Sequence, residues 1–543
     1  MLRRMDETEQ KRSLPENGGL RVRRRATWLV VAVLWLTAAG VLREQDGDDA
    51  DVGKQIYTKG ESGSKTPVEA VLAGGTTRIP ASLMPCASCH GADGQGRPEG
   101  GVTPSNITWD ILSAPLTSSD PLARNRPAYD MKSLRRAIAE GVDPAGNELG
   151  TAMPRFSMSA QDLDSLVDYL KRLGHELDPG VTKTTIRIGT IVPASGPMAA
   201  AGQNFGALLR AYFADLNQQG GIYGRSVEFE LLPVSGSNAE IVQQAENFVR
   251  SKNIFALAGI LAPGAERGVE DAMQNAGVPV ITPFASRPDG EESSDKSKIF
   301  YVLSGVSQQA RVLVRFARER LEARDSPISV VFTPENRELA DFVVRECRDK
   351  SFASVVSLKY AASTSEGERI ADSLFKDKIN AVLFLGQGRE LRELLVAARK
   401  LNWSPIVFQP GSFAGKDVFA IPAAFNERVF FSFPSLPTDM EAVGLNEYGE
   451  LLRNHHLTPN QPALAISVLA SAKVLTEGLR QTGRNLGRVK LVETLSTMYN
   501  FETGFTPPIT FGATRRIGAR GSYIVKLDLK KKVLVPVDTW MAP

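Results

Sequence analysis

From Ile186 onward two kinds of segment alternate, and this alternation restricts the fold more than any other feature of the chain. Ile186–Val192 is an apolar run of strand length, and Pro193-Ala194-Ser195-Gly196-Pro197 follows as a loop. The next stretch is amphipathic, with Phe205, Leu208, Leu209, Tyr212, Phe213 and Leu216 at helical spacing on one face. Gly220-Gly221-Ile222 turns the chain into a strand at Val227–Leu231. A helix over Asn238–Ser251, a strand at Ile254–Gly259, a helix over Ala265–Ala276 and a strand at Val278–Ile281 continue the series. Later strands are predicted at Ser329–Phe332, Val355–Leu358, Ala381–Leu385 and Ile406–Phe408. Alternating strands and helices imply parallel sheets with helices on both faces. Ligands of such sheets bind beyond the carboxyl ends of the strands.

At 543 residues the chain has room for two or three domains, and the alternating region occupies only the last two thirds. Lys and Arg number 64 against 61 Asp and Glu, so charge gives no reason to expect a nucleic-acid partner. Of three cysteines, two stand in Cys86-Ala87-Ser88-Cys89-His90. C-x-x-C-H is the attachment spacing of a c-type haem. The two thiols add to the two haem vinyl groups, and the imidazole of the next residue lies under the iron. A zinc site would need two more ligands, and the third cysteine, Cys347, is far downstream in a helical stretch. A redox dithiol would adjoin a βαβ pattern, and none is adjacent. One covalently attached haem c is therefore expected on Cys86 and Cys89, with His90 as an iron ligand. Cys347 reads as a free, structurally inert thiol.

The N-terminus reads as a targeting segment. Arg3, Arg4, Lys11, Arg12, Arg21, Arg23, Arg24 and Arg25 precede an uncharged run from Ala26 to Leu42. Its length lies between a signal-peptide core and a full span. The long basic flank favours an uncleaved anchor in the inner membrane over a cleaved signal, with the remainder of the chain on the periplasmic side. Cleavage would leave a free periplasmic protein. The expected organisation is a cytoplasmic basic segment (1–25), a transmembrane signal anchor (26–42), a tether (43–50), an all-α haem domain (51–175), a polar linker (176–185) and an α/β domain with parallel sheets (186–543).

Around the haem motif the chain carries further signals. Asp51–Gly60 reads as a helix containing Gly53 and Tyr57. Val68–Pro85 reads as loop, and Gly91–Gly96 as a glycine-rich turn that lets backbone approach the haem closely. Met131–Glu140 reads as a helix closed by Gly141. Met153 lies in a loop before Pro154, and Ser159-Ala160-Gln161-Asp162 is a capping box. The helix it opens carries Leu163, Leu166, Val167, Leu170 and Leu173, and Gly174 ends it. Together these features resemble a class I, single-haem cytochrome c over Asp51–Gly174. By that resemblance the first and last helices cross at Gly53 and Tyr57, His90 is the proximal iron ligand and Met153 the distal one. Spacing leaves Met158 as the alternative distal ligand, with Met131 and Met84 behind it.

The alternating region resembles the periplasmic substrate-binding proteins of the branched-chain amino acid and amide type. The resemblance rests on Ile188-Gly189, Ser195-Gly196-Pro197, Gly220-Gly221-Ile222 and Gly277–Pro283. It continues in the ending Phe511-Gly512, Arg516-Ile517-Gly518 and Gly521-Ser522-Tyr523. It implies two α/β lobes joined by crossing strands and closing on a ligand. In that family, hydroxyls and backbone N–H groups of the first lobe hold the ligand carboxylate. Here Ser286 matches the second hydroxyl position, the Gly264 backbone N–H is retained and Ser195 is placed at the cleft mouth, although Leu261–Ala265 has no hydroxyl. An acid of the second lobe holds the ligand amine in that family, and Gln409–Ala414 contains none. A buried ammonium without a carboxylate partner is costly. An ordinary amino acid is therefore not the expected ligand. A small neutral or anionic molecule is, unless the domain serves only for docking. Glu266 and Glu335 are acids whose place the sequence does not give.

No G-x-S-x-G, H-E-x-x-H or phosphate-loop pattern is present, which argues against an enzyme. His175 reads as a surface residue. His455-His456 reads as a solvated helix end, since adjacent helical residues face apart. The combined expectation is a periplasmic electron carrier. Its second domain senses a ligand or docks to a redox partner such as a dehydrogenase or terminal acceptor. The alternative is the solute receptor of an amino acid or amide importer with an accessory haem domain.

Overall fold

The computed structural model describes residues 49–543, apart from 63, 65, 73–74, 92, 97–102, 118–123, 175–176, 287–296, 321–326, 353, 362, 364, 459–461 and 538–539. The basic segment 1–25, the apolar run 26–42, all but the end of the tether 43–50 and His175 lie outside the described residues. Among the described residues no helix is long and apolar enough to cross a membrane. The chain divides into two compact units between Glu176 and Leu177.

The first unit contains helices α1 (Asp49–Lys59), α2 (Cys86–His90), α3 (Trp109–Leu112), α4 (Met131–Glu140) and α5 (Ala160–Arg172). Helix α1 crosses α5 at Gly53, where a Cβ would lie 2.1 Å from the carbonyl oxygen of Ser165. Glycine is required there because the two backbones approach too closely for any side chain. One turn later Tyr57 is fully buried, its ring 5.4 Å from that of Tyr169. Helix α4 is opened by a reciprocal capping box between Asp130 and Ser133. Helix α5 has half of the box expected for it. Ser159 accepts from the Asp162 amide, while the Asp162 carboxylate accepts from the hydroxyls of Ser159 and Ser64 instead of from the cap backbone.

The expectation of an all-α first unit is corrected. Strands β1 (Glu69–Val71), β2 (Arg78–Pro80) and β3 (Arg155–Ser157) form a small antiparallel sheet in the order β2-β1-β3. β1 and β2 fall in the region read as loop. Each strand is three residues long, too short for a periodicity, and β3 comes from far along the chain. The pairing is set by tertiary packing of Ala70 and Phe156 into the core.

The second unit contains two sheets. Its strands are β4 (Thr185–Pro193), β5 (Ser226–Val234), β6 (Ala256–Ile260), β7 (Val280–Phe284), β8 (Ile299–Leu303), β9 (Ile328–Phe332), β10 (Val355–Lys359), β11 (Ala381–Leu385), β12 (Ile406–Pro410), β13 (Val429–Phe433), β14 (Ile517–Ala519), β15 (Tyr523–Asp528) and β16 (Val533–Pro536). Its helices are α6 (Ala199–Gln218), α7 (Asn238–Ser251), α8 (Glu266–Asn275), α9 (Val306–Arg320), α10 (Arg337–Asp349), α11 (Glu366–Lys376), α12 (Gly388–Lys400), α13 (Ala442–Asn454), α14 (Pro462–Thr482) and α15 (Arg488–Ser496). One sheet has the order β14-β8-β7-β6-β4-β5 and is wholly parallel. The other has the order β10-β9-β11-β12-β13-β15-β16, and β15 and β16 are antiparallel additions to a parallel sheet. Strands such as Ala381–Leu385 are buried at every residue, as parallel strands covered on both faces must be. The chain crosses between sheets after β8, after β13 and between β14 and β15. The two lobes joined by crossing strands that the sequence leads one to expect are thus present, with three crossings.

Two smaller expectations change. The linker over 176–185 is largely part of the second unit. Val181 is buried, Arg187 N–H donates to Gly180 O, and the Asp178 carboxylate accepts from Arg488 N–H at 2.5 Å. His455 is not simply solvated, because its Nε2 lies 2.6 Å from Asp215 Oδ1.

Candidate haem-attachment site and ligand cleft

Pro85 sets the extended residue before α2, and Gly91 ends the helix after five residues. Within that single turn Cys86 and Cys89 are three apart, so their side chains share one face. Cys86 is half-buried and Cys89 exposed. Burial pushes the Cys86 thiol up to about 12. The half-buried His90 imidazole places Nδ1 2.9 Å from the carbonyl oxygen of Ser105. A carbonyl only accepts, so Nδ1 carries the proton and Nε2 keeps a lone pair. Burial lowers the imidazole's proton affinity, which favours this neutral, ligating form. Gly96 has φ +80°, and its N–H returns to His90 O at 2.8 Å, closing the loop behind the imidazole. Tyr57 OH donates to Gly91 O at 2.6 Å and ties α1 to the end of the motif.

These residues fit a covalently held macrocycle. Leu83, three residues before Cys86, is 70 % exposed. Ile79, Ile107 and Leu149 pack against the core of this unit but remain partly open. A flat apolar group attached to Cys86 and Cys89 would cover such side chains. When bound, a haem supplies one-electron redox chemistry.

Met153 is half-buried in the turn that leads into β3. Arg155 pins that turn by donating to Met153 O at 2.6 Å and Leu149 O at 3.1 Å. Met158 and Met131 instead pack against the core of the unit. Arg155 was not singled out from the sequence, because its role depends on two carbonyls that only the folded turn presents.

In the second unit, β5 and β6 lie on opposite sides of β4, so the strand order reverses between β4 and β6. A crevice opens at the carboxyl ends of such a pair. The loops after β4, β6 and β7 carry Ser195, Gly264 and Ser286, which brings all three expected residues to one edge of the sheet. Ser195 is exposed. The other two face carboxylates of α8. Gly264 N–H donates to Glu266 Oε2 at 2.8 Å. Ser286 Oγ lies 2.7 Å from both oxygens of Glu270, which is buried and also accepts from Tyr301 OH at 2.8 Å. Burial and the neighbouring Glu270 raise the Glu266 carboxyl above its ordinary value. In the other lobe, Ser412 is occupied by Gln309, with Ser412 N–H donating to Gln309 Oε1 and Gln309 Nε2 to Ser412 Oγ. Glu335 is exposed in the short turn after β9. The Glu266–Glu270 spacing of four on a helix was available in the sequence as a signal, but the partners of those acids were not.

The periplasmic binding protein family matches residues 185–532, well over half of the chain. The chain belongs to the periplasmic binding protein family. The cytochrome c family matches residues 81–174, so a cytochrome c domain precedes the binding-protein domain, and a covalently bound haem c goes with it. Both domain types point to a location outside the cytoplasm. Over 203 residues the binding-protein domain is 25% identical to a Leu/Ile/Val-binding protein of Rhizobium johnstonii, covering 37% of this chain and 54% of that one. It is 23% identical over 307 residues to a leucine-, isoleucine-, valine-, threonine- and alanine-binding protein of Pseudomonas aeruginosa, covering 55% of this chain and 79% of that one. The chain thus spans about half the length of the first of these relatives. Among solved structures, a branched-chain amino acid transporter protein of Thermus thermophilus with bound valine superposes with a TM-score of 0.54 at 16% identity, covering 67% of this chain and 97% of that one. A fatty acid transporter substrate-binding protein of Thermomonospora curvata superposes with a TM-score of 0.53 at 18% identity, covering 68% and 95%. These neighbours share the fold while being named for chemically different ligands, so the fold alone does not choose a ligand.

Proposed function

We propose that this protein is a periplasmic single-haem electron carrier whose binding-protein domain responds to a small ligand or docks to a redox partner. The observation that carries the reading is the motif on α2. Cys86 and Cys89 share a face, and Ser105 O holds the His90 proton on Nδ1, which leaves Nε2 for iron. Met153 is the proposed sixth ligand. Its turn is pinned by Arg155, whereas Met158 and Met131 are engaged in the core. A thioether at that position raises the reduction potential and suits an electron carrier. The partner proposed is a periplasmic dehydrogenase or a terminal acceptor. Ala26–Leu42 is proposed as the inner-membrane anchor, with the remainder on the periplasmic side. No catalytic role is assigned. The test is a reduced-minus-oxidised spectrum of the purified chain, followed by reduction kinetics with candidate dehydrogenases. A sharp haem c spectrum with fast, saturable reduction supports the reading. Absence of haem c from a chain matured in a host competent for cytochrome c removes it.

A second reading has one specific support, the intact two-lobed fold with crevice loops at the carboxyl ends of β4, β6 and β7. In that reading the chain is the solute receptor of an importer for amino acids or amides, and the haem is accessory. Neighbouring permease genes with their ATPases would favour it.

A further inference from the structure

The two groups of the first lobe that should hold a ligand carboxylate are already engaged, and both are engaged by carboxylates of the chain itself. The Gly264 amide follows β6 at the point where the strand order reverses, and its N–H ends on Glu266 Oε2 at 2.8 Å. The Ser286 hydroxyl follows the adjacent strand β7, and its proton is directed to Glu270, which is 1% exposed. Glu266 and Glu270 are four residues apart on α8, hence on one face of it, and that face lies along the crevice loops.

We infer that Glu266 is a specificity residue that keeps carboxylate ligands out of this cleft and selects a small amide or amine without a free carboxylate. The inference rests on the reading of the binding-protein domain as a ligand-responsive element and names the ligand class for that site. A hydroxyl that donates to a buried carboxylate turns its lone pairs outward, so Ser286 accepts instead of donating. A backbone amide already bound to Glu266 has no second proton to offer. A ligand carboxylate entering here would meet acceptors and a like charge, and like charges close together in a poorly solvated site repel strongly. An N–H group would instead find the Ser286 oxygen and the remaining lone pairs of the Glu266 carboxylate. Burial, and to a smaller extent Glu270, raises the proton affinity of Glu266.

The test is calorimetric titration of the full chain with matched pairs: leucine and leucinamide, valine and valinamide, alanine and alaninamide. Wild type is expected to bind at least one amide with an affinity tenfold or more above that of its free acid. Glu266→Ala, which frees the Gly264 amide, is expected to shift that ratio toward the acid by at least tenfold. Glu266→Gln, which keeps an acceptor on the amide without the charge, should fall between them. Circular dichroism checks that the variants fold. The inference is overturned if the free acid binds wild type as well as its amide, if Glu266→Ala leaves the ratio unchanged, or if neither form of any pair binds either chain. The functional reading fails separately. Amide binding with the expected preference, but with no change in haem midpoint potential or reduction rate, removes ligand response and leaves the specificity intact.

Discussion

His90 Nδ1 and the carbonyl oxygen of Ser105 are 2.9 Å apart, and this one contact fixes which nitrogen of the imidazole faces a metal. The carbonyl is backbone, so no substitution at position 105 short of rearranging the loop removes it. The imidazole is held ready by chain geometry, and the two cysteines are the proposed attachment points. Cys86→Ala combined with Cys89→Ala should therefore abolish covalent haem. On a denaturing gel the double variant should show no haem-linked peroxidase staining, against a strong band for wild type. Persistent staining would refute attachment at these residues. His90→Ala should retain two thiols and lose normal low-spin absorption in any haem-bearing fraction.

Met153 and Met158 make separable predictions. If Met153 is the sixth ligand, Met153→Ala abolishes the weak near-infrared charge-transfer band of His/Met ferric haem. It also lowers the midpoint potential on the order of 0.1 V, a modest part of the roughly 0.8 V that axial ligands command. Met158→Ala should keep the band and lose stability, since Met158 packs on the core. The reverse pattern would transfer the ligand role to Met158.

The contrast between these methionines shows where the sequence was informative. C-x-x-C-H is a covalent requirement, so its spacing could be read directly. The parallel sheets could be read because doubly covered strands are continuous apolar runs, as in Ala381–Leu385. β1, β2 and β3 could not, because three-residue strands have no periodicity and depend on packing of Ala70 and Phe156. The cleft failed in a different way. Gly264 and Ser286 reached the expected edge, but a hydroxyl or an amide in a sequence does not state where its proton goes. Glu266 and Glu270 decide that, and their partners come from loops that only the folded sheet brings beside α8.

Gly53 sets two rules against each other. Glycine inside an exposed helix is worth about 1 kcal/mol less than alanine, so helix propensity alone would make Gly53→Ala stabilising. Here a Cβ would sit 2.1 Å from Ser165 O and 2.8 Å from Tyr169 Cβ. Backbone cannot yield as a flexible side chain does, and forced overpacking costs about 1–3 kcal/mol. Gly53→Ala should thus lower the melting temperature of the cytochrome domain on the order of 5 °C or more. Soret circular dichroism follows that domain without interference from the other. An unchanged or raised melting temperature would mean that α1 and α5 do not cross at this glycine.

Glu266 makes a pH prediction whose sign can be worked out. Burial and Glu270 raise its carboxyl in the folded chain above the ordinary 4.5. Between 4.5 and the raised value the unfolded chain has released this proton while the folded chain still holds it. The unfolded state then binds fewer protons, so this group's contribution to stability falls as pH rises through that window. The loss is complete above the folded value and absent well below 4.5. Glu266→Gln removes the charge and keeps an oxygen that can accept from the Gly264 amide. Its melting temperature relative to wild type should therefore rise from about equal near pH 4 to clearly higher at pH 7. Calorimetric melts of both chains at one-unit steps between those limits measure the difference directly. A difference that shrinks with rising pH would show that Glu266 is stabilised as a carboxylate. In that case the crevice beside Gly264 would be less crowded with negative charge than its geometry indicates.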